Sequence, residues 1–253
     1  MSTQITTAFV QQFSSNVQLL SQQMGSLLRG SVSEESVTGE KAFFDQVGQA
    51  AAVKRTSRHS DTPIVDTPHS RRMVTMDSYE WADLVDDADK VRLLIDPTSA
   101  YARTAAAAIG RAMDDAIIAA ATGTAKTGKS GSTSTTLPSA QQIAHGSTDL
   151  TIEKLIEAKQ KLDVNSVDPS IPRYIVVSPF QIQRLLNETA VTSSDFNTVK
   201  ALVRGEVDTF MGFKFIVSNR LAKSGNNRTC FAFAEDGLKL AVGKDVMARI
   251  EER

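Results

Sequence analysis

The segment from Asp96 to Gly123 limits the possible folds of this chain more than any other. Asp96 supplies an N-cap oxygen, Pro97 suits the first helical position, an alanine-rich body follows, and Gly123 is a stop signal. Residues 97–122 therefore predict one helix of about 39 Å at 1.5 Å per residue. Tyr101, Ala105, Ile109, Ala112, Met113, Ala116 and Ile117 fall on one stripe, and Arg111 is placed to pair with Asp114 or Asp115 one turn on. Small alanines permit close approach from several sides, so the helix reads as a structural spine.

The rest of the chain must be organised around that rod. Residues 1–28 carry no charged side chain, yet Phe9, Phe13, Val17, Leu20, Met24 and Leu27 recur at steps of three and four. This predicts a neutral amphipathic helix that lies on its own domain or on a neighbouring subunit. From Lys54 to Arg72 the texture changes, because Ile64 and Val65 are the only large aliphatic residues there and Lys54, Arg55, Arg58, Arg71 and Arg72 are basic. Such a stretch cannot build a core. Two copies of Asp-Thr-Pro, at 61–63 and 66–68, supply turn chemistry, so a long hairpin-like excursion with its tip near 61–68 is expected. Residues 77–89 are acidic, with Asp77, Glu80, Asp83, Asp86, Asp87 and Asp89. A basic arm and an acidic patch on one chain suit self-association, although both also read as solvated faces.

Beyond the spine, twelve of the fifteen residues from Thr122 to Thr136 are Gly, Ser or Thr, which predicts a flexible loop. Ile152, Leu155, Ile156 and Leu162 then mark an amphipathic helix. A β run from Tyr174 to Val177 leads straight into Ser178-Pro179-Phe180-Gln181, a capping-box pattern that opens a helix to Asn187. Phe210 to Val217, Cys230 to Ala234 and Leu238 to Val242 read as short strands. The second half is mixed helix and sheet.

Composition narrows the function. With 253 residues, 28 basic and 29 acidic groups and 41% hydrophobic residues, the chain is long enough for one large or two small domains. A net charge of −1 argues against a uniformly basic nucleic-acid binder and leaves room only for a local patch. No run approaches the roughly 18 to 20 apolar residues that span a bilayer, so no membrane partner is expected. No Lys or Arg precedes Arg29, which argues against a secretory signal. Cys230 is the single cysteine and reads as a small buried hydrophobe.

Candidate chemistry is sparse. Gly123-Thr-Ala-Lys-Thr-Gly128-Lys129-Ser130 matches the phosphate-loop pattern letter for letter. That pattern holds phosphate only between a strand and a helix, whereas a long helix precedes it here and Gly-Ser-Thr-Ser-Thr-Thr-Leu-Pro follows. His59, Asp61, Asp66 and His69 are types that ligate metals, but their spacing fits no closed site and they read as solvated turn residues. His145 stands alone in a loop, so no Ser-His-Asp or Cys-His arrangement is indicated. The chain is expected to be no enzyme, with no catalytic residue, no cofactor and no metal.

The order of parts then resembles a known family. Tyr174-Ile-Val-Val-Ser-Pro-Phe-Gln-Ile-Gln-Arg-Leu-Leu186, Asp195-Phe-Asn197 and Gly205-Glu-Val-Asp-Thr-Phe-Met-Gly-Phe-Lys-Phe-Ile-Val-Ser-Asn-Arg-Leu221 resemble the major capsid proteins of tailed double-stranded DNA bacteriophages. Arg72-Met-Val-Thr-Met-Asp-Ser-Tyr-Glu-Trp81, Ile95-Asp96-Pro97 and the helix with Arg111 and Asp114-Asp115 are similar to the same family. The resemblance spans about residues 30 to 245.

It implies an α+β, Hong Kong 97-like fold. The implied parts are an N-terminal arm at 1–30 and, across 31–96, an extended loop (about 40–75) with flanking peripheral-domain strands. The spine helix and Gly/Ser/Thr loop of the peripheral domain follow at 97–147, then an axial domain at 148–240 and a C-terminal return at 241–253. Family members usually carry more chain after the strand corresponding to Leu238–Val242. The resemblance therefore implies a peripheral sheet that is smaller, completed by a neighbour, or continued beyond Arg253.

The function it implies is that of a virion component. The chain would self-assemble in the host cytoplasm into pentamers and hexamers of an icosahedral head, with scaffolding, portal and decoration proteins as further partners. Packaged double-stranded DNA would be contacted weakly and without sequence specificity. Lys54, Arg55, Arg58, Arg71 and Arg72 are then expected to meet Asp83, Asp86, Asp87 or Asp89 of an adjacent chain. The alternatives are an encapsulin-like nanocompartment shell of the same fold and a phosphate-loop nucleotidase.

Overall fold

The computed structural model describes residues 22–58, 61–62, 64–82, 98–187, 209–245 and 247. The chain divides into two compact units, one of residues 1–26, 79–112 and 246–253, the other of residues 27–78 and 113–245.

In the first unit the described residues are dominated by the early turns of helix α1, Thr98–Thr122. Gly110 is buried there because a Cβ at that position would lie 2.5 Å from the carbonyl carbon of Gly25 and 2.8 Å from the Ser26 nitrogen. Gly25 itself sits at φ +80°, where a side chain is strained. Arg111 does not pair with the aspartates that follow it. Its Nη1 donates to Gln22 Oε1 at 3.0 Å and to the Gln23 carbonyl at 3.3 Å.

The second unit is built on a mixed four-stranded sheet. Its strands are β6 (Arg173–Val177), β7 (Thr209–Phe210), β8 (Phe213–Val217) and β11 (Phe231–Ala234), in the order β11-β6-β8-β7. β6 and β8 run parallel with Tyr174 opposite Lys214, and the other two pairings are antiparallel. Helix α2, Ile152–Val164, precedes β6, and α3, Pro179–Leu186, follows it directly. Gln181 Oε1 accepts the Ser178 N–H at 2.8 Å, as the capping-box spelling predicts. β7 and β8 join through Met211 (φ +53°) and Gly212 (φ +83°), two consecutive left-handed residues that close a tight hairpin.

Side chains of β6 alternate between two cores. Ile175 and Val177 join Ile152, Leu155, Leu185, Phe210 and Phe213 on one side, while Val176 joins Leu28, Val32, Ile117, Ile118, Leu221 and Phe233 on the other. This explains why Ile175 to Val177 read as a continuous apolar run.

Two further sheets complete this unit. β2 (Lys41–Val47), β3 (His69–Thr75), β4 (Ala125–Thr127) and β5 (Thr133–Thr135) form an antiparallel sheet in chain order. β1 (Ser33–Ser36) pairs in parallel with β12 (Lys239–Val242). A small hairpin, β9 (Lys223–Ser224) with β10 (Asn227–Arg228), lies between β8 and β11 in the chain.

Three expectations need correction. The buried face of α1 is Ala107, Gly110, Asp114, Ile117 and Ile118, not the stripe that included Ala116, which is exposed. The most polar residue on that face is buried because its carboxylate binds backbone, which apolar periodicity does not register. Ile156 is likewise exposed, so the inner stripe of α2 is Ile152, Leu155 and Leu162. The Gly/Ser/Thr tract is ordered: it forms the β4–β5 hairpin, paired to β3 through Arg72 opposite Thr127 and Met73 opposite Lys126. Its threonines form cross-strand contacts, with Thr127 Oγ1 and Thr135 Oγ1 at 2.9 Å. The amphipathic segment at 1–21 and the acidic residues Asp83, Asp86, Asp87 and Asp89 lie outside the described residues.

Candidate functional site

The β2–β3 ribbon carries the basic residues singled out in the sequence. Seven pairs form its ladder, from Lys41 opposite Thr75 to Val47 opposite His69, and the Gly48 N–H donates to the Pro68 carbonyl at 2.8 Å. The connection therefore runs from 48 to 68. The tip expected at 61–68 includes position 63, which lies outside the described residues. The connection's described residues include no strand or helix, and Val53, Ile64 and Val65 are exposed, Ile64 to 95%. An apolar side chain left that open makes no use of burial within its own subunit.

The period of two splits the ribbon's charges between its faces. On one face Arg71 is engaged within the chain. Its Nε and Nη2 donate to the two carboxylate oxygens of Asp45 at 2.5 and 2.8 Å, and its guanidinium lies 5.6 Å from the Phe43 ring centroid. The Arg71 hydrogen bonds hold the Asp45 carboxyl below the usual carboxylate range, helped by the charge of His69, and Asp45 in turn raises Arg71. On the other face Arg72 stands opposite Phe44 and is exposed. Arg55 turns back on its own loop, donating from Nε to the Ser57 carbonyl at 2.8 Å and from Nη2 to the Arg58 carbonyl. Lys54 and Arg58 are exposed. Of the five basic residues, Arg71 thus has a partner in its own strand pair, while Lys54, Arg58 and Arg72 present their charge outward.

The acidic partner Asp45 was not singled out from sequence, although the antiparallel register that sets it opposite Arg71 follows once β2 and β3 are recognised. Asp115, expected from sequence as a partner of Arg111, instead receives the Arg220 guanidinium, Nε to Oδ1 at 2.5 Å, 105 residues along the chain.

The remaining candidates offer little chemistry. The phosphate-loop tract is the β4–β5 hairpin, with Gly128 at φ +89° and Gly131 at φ +69° serving its turn, and Lys129 is exposed with no helix behind it. Within the tract the backbone of residues 125–127 is used in sheet pairing, and strand β5, not a helix N-terminus, follows it. Cys230 is half-buried between both cores, and burial pushes its thiol up to about 11, against nucleophilic use. Among the described residues no three His, Cys, Asp or Glu side chains converge as a metal site, and no helix is long and apolar enough to cross a membrane. His59 lies outside the described residues.

Solved structures share this fold. The capsid structure of cyanophage P-SCSP1u is similar with a TM-score of 0.67 and 21% identity, over 97% of this chain and 83% of that one. The capsid of Ralstonia phage GP4 is similar with a TM-score of 0.70 and 11% identity, over 95% and 84%. A structure from Mycobacterium phage Che8 gives 0.63 and 16%, over 97% and 87%. A search of curated proteins finds no match. The α+β fold is thus that of phage capsids, the Hong Kong 97-like architecture expected from the resemblance. A family model described as phage capsid protein matches residues 5–253, nearly the whole length, and the chain therefore belongs to the phage capsid protein family.

Proposed function

We propose that this structural capsid protein is the repeating subunit of an icosahedral phage head, associating as pentamers and hexamers around double-stranded DNA after assembly in the host cytoplasm. Its parts are the arm at 1–30, the extended loop at about 40–75, the spine helix α1, and an axial domain at 148–240. The protein has no catalytic role in this reading. Scaffolding, portal and decoration proteins are its further partners, and the near-neutral chain contacts DNA weakly.

The β2–β3 ribbon is the observation that carries the reading. A core-less connection from 48 to 68, with Ile64 almost fully exposed and with Lys54, Arg58 and Arg72 directed outward, suits a tie laid across a neighbour. Asp83, Asp86, Asp87 and Asp89 of the adjacent chain are the groups those cations meet. Arg71 acts inside its own subunit, holding the ribbon through Asp45.

Charge reversal of Lys54, Arg58 and Arg72 together is expected to lower particle yield and to make surviving particles dissociate at lower salt. Unchanged yield and salt stability would remove these residues from the interface.

A further inference from the structure

A cleft of about 750 Å³ opens in the larger unit where the parallel strands β6 and β8 begin, against the last turns of α2 and the β7–β8 turn. Three cations, Lys159, Arg173 and Lys214, line it against two carboxylates, Asp163 and Asp168. Both carboxylates are engaged within the chain. Asp163 Oδ1 accepts from Arg173 Nη1 at 2.6 Å, and Asp168 Oδ1 accepts the Ser170 N–H at 2.8 Å, which holds the Asp168 carboxyl below the usual carboxylate range.

The cations are less fully used. Of the other lysines on α2, Lys154 donates to the carbonyls of His145, Thr148 and Asp149, and Lys161 to that of Ala140. Lys159 has no acceptor among the described residues, and its Nζ lies 3.8 Å from where a Cβ on Gly212 would stand. Lys214 Nζ is 5.7 Å from the Tyr174 ring centroid and likewise has no acceptor among the described residues. Arg173 is 6% exposed and ties α2 to the cleft wall, because its Nη2 donates to the Val167 carbonyl at 2.9 Å, while its buried Nε has no partner. Cationic donors therefore outnumber the acceptors that meet them.

The wall from Ser166 to Pro172 is stiff. Ser166 is left-handed at φ +56°, its N–H returns to the Asp163 carbonyl and that of Val167 to Leu162, and Pro169 and Pro172 fix the backbone further on. A wall already set in place loses little affinity to ordering.

We infer that this cleft binds a phosphate group, with the Lys159 and Lys214 ammoniums as its ligands. A phosphate suits two compact ammoniums because it carries up to roughly two negative charges and presents oxygens on several sides. The group comes from free phosphate or from a nucleic-acid backbone, which share this chemistry. The inference concerns the single subunit and does not depend on shell closure.

The experiment titrates the full chain, as dissociated subunit at constant ionic strength, with inorganic phosphate and separately with a short DNA duplex, read by calorimetry and amide NMR. Saturable one-to-one binding of inorganic phosphate is expected with Kd on the order of 1 mM or tighter, with amide shifts centred on 166–173 and 209–214. Lys159→Gln and Lys214→Gln alter exposed side chains and are expected to keep the fold by circular dichroism, each weakening phosphate at least about fivefold and together removing saturation. Lys129→Gln, outside the cleft, is expected to bind as wild type does.

Duplex binding that falls in the same two variants would support the site and assign its phosphate to a nucleic-acid backbone. Phosphate binding with a duplex response indifferent to these lysines would support it with free phosphate as the ligand. Absence of saturable phosphate binding would overturn the inference, as would unchanged affinity in the double variant or a loss that follows Lys129→Gln instead.

Discussion

Gly131 shows how a single position decides whether a low-complexity tract is ordered. It is buried at φ +69°, and a Cβ there would fall on the Met73 side chain. The turn of the β4–β5 hairpin therefore depends on glycine for backbone freedom and for space. Gly131→Val is expected to destabilise the subunit by about 1–3 kcal/mol, read as a lower urea midpoint or Tm. A melt within error of wild type would show that the hairpin contributes nothing to folding. Asp114 and Gly110 teach a related point about the helix. Both are poor helix formers, and both lie on its buried face because backbone approaches there, Gly25 and Ser26 in one unit and Leu27 and Leu28 in the other. Apolar periodicity sees neither, which is why the stripe read from sequence is rotated away from the true face.

Among elements, those with strong local signals were legible. α1 occupies the positions expected from its cap, its alanines and Gly123, and α3 opens at its capping box. Phe213–Val217, within the run that reads as short strands, is a strand. The Gly/Ser/Thr tract was not legible as a hairpin, because its order comes from pairing with β3, a segment some fifty residues earlier in the chain. The ribbon was legible as a core-poor excursion, but the Asp45–Arg71 pair depends on register and was not. That pair gives the ribbon a signed pH dependence. Asp45's folded value is depressed by Arg71, so its contribution is complete above the ordinary carboxylate range and is lost as pH falls through the depressed value. Opening of β2–β3, measured by amide exchange corrected for intrinsic rate, should stay constant from neutral pH to about 4 and then become easier. Asp45→Asn should abolish that step. An acid profile identical in Asp45→Asn and wild type would contradict the assignment.

At the scale of the whole molecule, near-neutral charge argues against a basic nucleic-acid binder. The ribbon gives it a more specific meaning, because cations are directed outward on a segment that builds no core while Arg71 is satisfied at home. Membership of the phage capsid protein family and the shared capsid fold fit a structural role for the chain. In the proposed function the subunit closes into shells, and electron microscopy of the expressed protein, alone and with its neighbouring viral gene products, is the decisive measurement. Closed icosahedral particles are the predicted result, and a clean monomer in every condition would contradict it.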